Sequence, residues 1–173
     1  GTVQITELIE PDQVFRTQFW ERPDLPMISE KEHRKLFPHD VYADEDDVKN
    51  FKKGKQVLNL NFDTEKSDSV VFEGMNTWKP GRYLVETKSI DAFGEAVEEV
   101  QYITILDKSG SKNAISKAWS MTPIKVMCEP GETAEILIST AAEDLAINYE
   151  VELRGKIVSK EIIQLSKGQK SIK

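Results

Sequence analysis

The chain holds one cysteine and two histidines, and no apolar run approaches the length of a membrane helix. The lone Cys128 excludes an internal disulfide framework and a multi-cysteine metal site. Two histidines leave little material for a zinc site or an acid–base relay. A bilayer span needs at least about 18 consecutive apolar residues, so this segment is not expected to cross a membrane. Basic residues are the minority charge: 23 against 30 acids, a net charge of −7. That excess argues against non-specific nucleic-acid binding, which depends on cationic patches displacing phosphate counterions. The first residues, Gly1 to Ile9, lack the charged and apolar regions of a secretory signal. The leading glycine reads as a cut expression tag, and the segment reads as a piece of a longer protein. What remains is 173 residues at 39% hydrophobic, enough for one large domain or two small ones.

The apolar pattern is mostly of period two, the signature of half-buried strands. Val3, Ile5 and Leu8 mark a first strand, closed by Pro11-Asp12. A second apolar stretch carries Phe15, Phe19 and Trp20. Ser29 and Glu32 form a capping-box pattern and open a short helix, expected to end near Phe37 because Pro38 follows. Residues 39–55 are polar, with four acids from Asp44 to Asp47 and a basic cluster at Lys52, Lys53 and Lys55. From residue 56 the alternation sharpens. Leu58, Leu60 and Phe62 predict one strand, and Val70 to Phe72 a short one. Tyr83 to Lys88 and Val97 to Leu106 predict a hairpin around Asp91-Ala92-Phe93-Gly94-Glu95.

Residues 108–116 are small and polar and are expected to be a linker. Charge changes sign there: residues 1–107 carry 13 basic and 22 acidic groups, residues 108–173 carry 10 and 8. Beyond it, strands are predicted near Ile124, at Ala134 to Ile138, at Leu145 to Leu153, and after the Arg154-Gly155 turn. A last strand begins near Gly168. The expected architecture is all-β: tandem antiparallel β-sandwiches over 1–107 and 117–173, with a short helix and acidic insertion near 21–55 in the first. About five strands fit in the second unit, fewer than a full sandwich, so it is expected to be truncated or completed by further chain.

The residues that bear chemistry do not converge in sequence. Cys128 precedes Glu129-Pro130-Gly131; a nucleophilic cysteine needs a histidine or a helix N-terminus nearby, so the expectation is an inert, half-buried strand residue. His33 and His39 are six apart with Pro38 between them, wrong for one helical face, and the acids 44–47 lack the alternation and glycine of a calcium loop. A solvated acidic loop is expected. Lys52-Lys53-Gly54-Lys55 is expected to be a solvated turn rather than a phosphate site. Phe15, Phe19, Trp20 and Trp119 are expected in the core or in domain packing, with a sugar-binding platform as the alternative. No catalytic, cofactor-binding or metal residue is assigned, and the chain is expected not to be an enzyme.

Two stretches together carry a family pattern. Trp78, Pro80, Gly81 and Tyr83, leading through Val85 to Asp91 and Gly94, resemble the hairpin of macroglobulin-type domains in bacterial alpha-2-macroglobulin-like proteins. Pro130-Gly131-Glu132-Thr133-Ala134, then Ile136, Ile138 and the strand Tyr149 to Leu153, resemble the opening of the following domain. Trp20-Glu21-Arg22-Pro23-Asp24 with Phe37-Pro38-His39-Asp40 is similar to an insertion in large Bacteroidetes-type members. The resemblance implies structural modules of a protease-trapping inhibitor. It implies neighbouring domains of the parent and target proteases as partners, and no cofactor. It also implies an exported, periplasmic or envelope-associated parent, possibly a lipoprotein. Many such traps use a thioester of Cys-Gly-Glu-Gln type; Cys128-Glu129-Pro130-Gly131 does not match, so that chemistry is not assigned.

Overall fold

Alternation in the sequence becomes sheet in space, because each strand must hide one face. The computed structural model describes residues 1–21 and 23–173. The chain divides into two compact units whose segments interleave: Gly1–Pro11 with Asp44–Asp107, and Asp12–Ala43 with Lys108–Lys173. The all-β, antiparallel class expected from the sequence is the one found, with open sheets and a single short helix among the described residues.

The first unit is a four-stranded sheet. Strand β1 (Thr2–Ile9) lies between β2 (Lys52–Asn61) and β3 (Gly81–Ile90), and β3 pairs outward with β4 (Ala96–Ile105). Register places Ile5 opposite both Leu58 and Val85, and Tyr83 opposite Ile103, so apolar side chains from four strands share one face. Val3, Ile5, Tyr83 and Val85 form the buried centre, with Phe72 and Trp78 from the 62–80 segment packed against it. The predicted strand at Val70 to Phe72 does not form. Phe72 still packs on the core, but as part of an irregular cover, and Val71 is exposed. Lys52, Lys53 and Lys55 lie on β2 rather than in a turn: β1 extends its ladder to Lys53 and Lys52 through Leu8 and Ile9, across two register shifts. Their polarity hid the strand.

The second unit is built on β6 (Glu135–Ser139), flanked by β5 (Ser120–Lys125) and β9 (Gln169–Ile172). Leu137 and Ile138 point to opposite faces and both are buried. Strands β7 (Leu145–Leu153) and β8 (Lys156–Leu165) form a separate two-stranded ribbon. The helix α1 (Glu30–Leu36) begins as read: the Ser29 hydroxyl accepts from the Glu32 N–H at 3.3 Å, and Phe37 is the C-cap.

The interleaving departs from the expected division. Residue 107 is an observed boundary, but 12–43, expected within the first unit, groups with the second. The reason is local. Phe15 is buried and its carbonyl accepts from the Ala118 N–H, while its backbone bridges Lys117 in parallel. The expected linker 108–116 is packed as well: the Ser111 and Gly110 carbonyls accept from the Gln169 N–H and its side-chain amide, and Ile115 is buried. Small polar residues here mark a chain that follows a surface, not one that floats.

Candidate functional site

The sequence candidates scatter. Cys128 is exposed and lies after β5 outside any strand, not half-buried within one. Pro123 and the following register shift near Lys125 end the pairing of β5 before residue 128 is reached. Glu129, next in the chain, gives its N–H to the Glu132 carboxylate at 3.0 Å; that bond, with Lys125, holds Glu132 below the usual carboxylate range.

The histidines do not meet as ligands. His33, on α1, packs its ring against Phe37 and Tyr42 at 5.5 and 5.2 Å between centroids. His39 Nδ1 lies 3.0 Å from the Val14 carbonyl. Asp40 is buried and its carboxylate receives the Arg16 guanidinium through two nitrogens, the Arg16 Nη2 bond being 2.9 Å. This bidentate fork raises the Arg16 pKa, first through the hydrogen bond and then through the charge of Asp40. Among the described residues no group of three or more His, Cys, Asp or Glu is placed to hold a metal ion. The acidic run is structural at its end: Asp47 Oδ1 accepts from the Lys49 N–H at 3.0 Å and caps a 3₁₀ turn over Val48–Asn50. Of the basic cluster, Lys53 donates to both oxygens of Glu86 at 2.9 and 2.8 Å.

The aromatics split. Phe15 is core, as expected. Phe19 is 92% exposed and Trp20 and Trp119 are each 56% exposed, so none of the three is core within this chain, which leaves domain packing or a binding platform for them. Trp20 carries Arg16 over its ring at 5.9 Å. It also lines a cleft of about 280 Å³ formed wholly within residues 18–42, with Met27, His33, Phe37 and Tyr42 among its walls. Arg22, part of the insertion-like pattern, lies outside the described residues. Sequence reasoning named Trp20, His33 and Asp40 separately and missed that they surround one cleft. The signal was the crowding of Trp20, Met27, Phe37 and Tyr42 with prolines in a segment without strand periodicity.

The β3–β4 hairpin is well formed. The Tyr83 hydroxyl, 1% exposed as a residue, donates to the Lys79 carbonyl at 2.6 Å, and its ring meets Trp78 at 5.5 Å. Burial, then the charge of Glu7, pushes the Tyr83 pKa up. At the far end Asp91 Oδ1 accepts from the N–H groups of Phe93 and Glu95 at 2.8 and 2.9 Å, and Gly94 takes a φ of 88° that a side chain would resist.

Compared with known proteins, the chain matches no family model, no curated protein and no solved structure. No helix among the described residues is long and apolar enough to cross a membrane.

Proposed function

We propose that the chain is a structural segment of a larger bacterial protease trap of the alpha-2-macroglobulin-like kind, contributing scaffold rather than chemistry. The supporting observation is the β3–β4 hairpin. It is a well-formed hairpin, with Tyr83 tying the corner to Lys79, Asp91 closing the loop and Gly94 at positive φ, as a rigid scaffold element would be. Open sheets agree with a module that sits among neighbours: Val97 and Val100 on β4 and Val151, Ile157, Val158 and Ile162 on the ribbon are exposed. On this reading the partners are adjoining domains of the parent and, through the whole protein, proteases. The parent is exported to the periplasm or envelope. The test is limited proteolysis of the full parent with several endopeptidases, followed by size-exclusion chromatography. One fast cut with the protease retained in the parent's fraction is expected; scattered slow cuts without retention overturn the reading.

A second reading has its own observation. Exposed Phe19, Trp20 and Trp119 suit a fibronectin-like glycan-binding or adhesion module. Glycan binding by this chain that disappears in Trp20→Ala would favour it over the trap.

A further inference from the structure

The four-stranded sheet of the first unit ends on β2 at one side and on β4 at the other. An outer strand shows a row of unpaired backbone N–H and C=O groups, and soluble proteins guard such rows with lysine, proline, bulges or short length. Strand β2 is guarded: it carries Lys52, Lys53 and Lys55 around Gly54, and its pairing with β1 slips twice. Strand β4 has none of these devices. Its register with β3 runs unbroken from Gly81 opposite Ile105 to Ile90 opposite Ala96, and its ten residues include no lysine, proline or glycine. Ala96 to Tyr102 are all exposed, Val97 and Val100 among them. Among the described residues no strand pairs with the outer side of β4. A long, regular, β-prone edge left in this state is a template for one more strand.

Charge says which strand. The charges on β4 are Glu98 and Glu99, with Glu95 just before it. Glu98 meets Lys88 on β3 at 2.9 Å, whereas Glu99 receives the neutral Gln101 amide at 2.6 Å. Ile103 and Gln101 lie opposite the core residues Tyr83 and Val85, so Val97 and Glu99 share that face, and Glu98, Val100 and Tyr102 the other. Each face therefore sets an acid beside an apolar side chain. Opposite charges across a strand pair stabilise it and like charges oppose it. Three acids repel a second β4, and the basic edge a second copy could offer, β2, is bulged where its lysines lie. What remains is a basic strand from a different chain or segment. This goes beyond the scaffold reading and stands without it.

We propose that the outer edge of β4 accepts an added strand from a basic partner: an extended segment with Lys or Arg on both faces and apolar residues between them. The test is an amide-shift NMR titration of the 173-residue chain with a capped peptide of about eight residues repeating Lys-Lys-Val-Thr, against its Glu-Glu-Val-Thr counterpart. The lysine peptide is expected to cause saturable shifts centred on residues 96–105 and to slow amide hydrogen exchange there. It is expected to bind about tenfold more tightly than the glutamate peptide, a gap that narrows in high salt. Val100→Lys is expected to weaken the lysine peptide about tenfold while the rest of the spectrum stays in place. Glu95→Lys combined with Glu99→Lys is expected to reverse the preference, which an unfolded variant would not do. Absence of saturable shifts on β4 up to the solubility limit overturns the site. Equal affinity for the two peptides overturns the basic partner. Shifts along β4 that appear on concentrating the chain alone put a second copy there and overturn this occupant.

Discussion

Thr140 is fully buried, 0% exposed, at the point where three chain segments of the second unit meet. Its hydroxyl donates to the Ala118 carbonyl and accepts from the Ala142 N–H, while its own N–H donates to the Gly168 carbonyl at 2.9 Å. Thr140→Val keeps the shape and removes the hydroxyl, stranding a donor and an acceptor. The expected loss is about 1–3 kcal/mol, read from urea unfolding of the intact chain. At Arg154 the sign reverses. Arg154 and Gly155 both have positive φ, 52° and 75°, forming the two-residue turn between β7 and β8. A long side chain in that left-handed region costs about 1 kcal/mol, which asparagine tolerates better. Arg154→Asn is therefore expected to raise stability by about 0.5–1 kcal/mol by the same measurement.

At the scale of elements, what was legible followed from periodicity. Strands β1, β3, β4, β6 and β7 lie where alternating apolar residues place them, and Ser29 opens α1 as its capping pattern requires. The errors have physical causes. Lys52 to Lys55 carry no apolar face, so only pairing with Leu8 and Ile9 reveals that they are a strand. Val70 to Phe72 look like a strand, but a run of three apolar residues is too short to prescribe its own ladder. The cleft was illegible because its residues come from turns and one helix, which no period connects. The β7–β8 ribbon was read correctly as strands. Val158 and Ile162 are exposed on it. Replacing both with lysine is expected to change stability by less than about 0.5 kcal/mol per site and to reduce self-association in light scattering. A large loss of stability would mean that this face is covered within the chain.

At the scale of the molecule, interleaving and charge set the behaviour. Residues 12–43 group with 108–173, so dividing the chain at 107/108 separates Phe15 from Ala118. A fragment of 108–173 alone is expected to give a poorly dispersed NMR spectrum, and a peptide of 12–43 to restore it; a well-folded 108–173 would contradict this division. Acid also acts mainly on the second unit. Glu135 is held below its ordinary value of 4.5 by Ser171 and then Lys108, and Glu161 by Tyr149 and then Lys170. Glu143 is lowered by Lys167. A depressed carboxylate contributes stability above its unfolded pKa and loses it as pH falls through the folded one. Thermal stability is therefore expected to hold above about pH 5 and to decline below 4.5. The raised Tyr83 works in the opposite direction: it favours the folded state at lower pH and loses that contribution as pH rises from its ordinary 10.0 through the higher folded value.

The central proposal, that this chain is scaffold within a larger protease trap, is tested most directly in the full-length protein by two substitutions scored for protease retention. Cys128→Ser is expected to leave retention unchanged. Tyr83→Ala removes a fully buried ring, costing about 3–5 kcal/mol, and is expected to abolish retention while cleavage of the parent continues. Loss of retention in Cys128→Ser, or full retention in Tyr83→Ala with the hairpin demonstrably unfolded, would contradict the account.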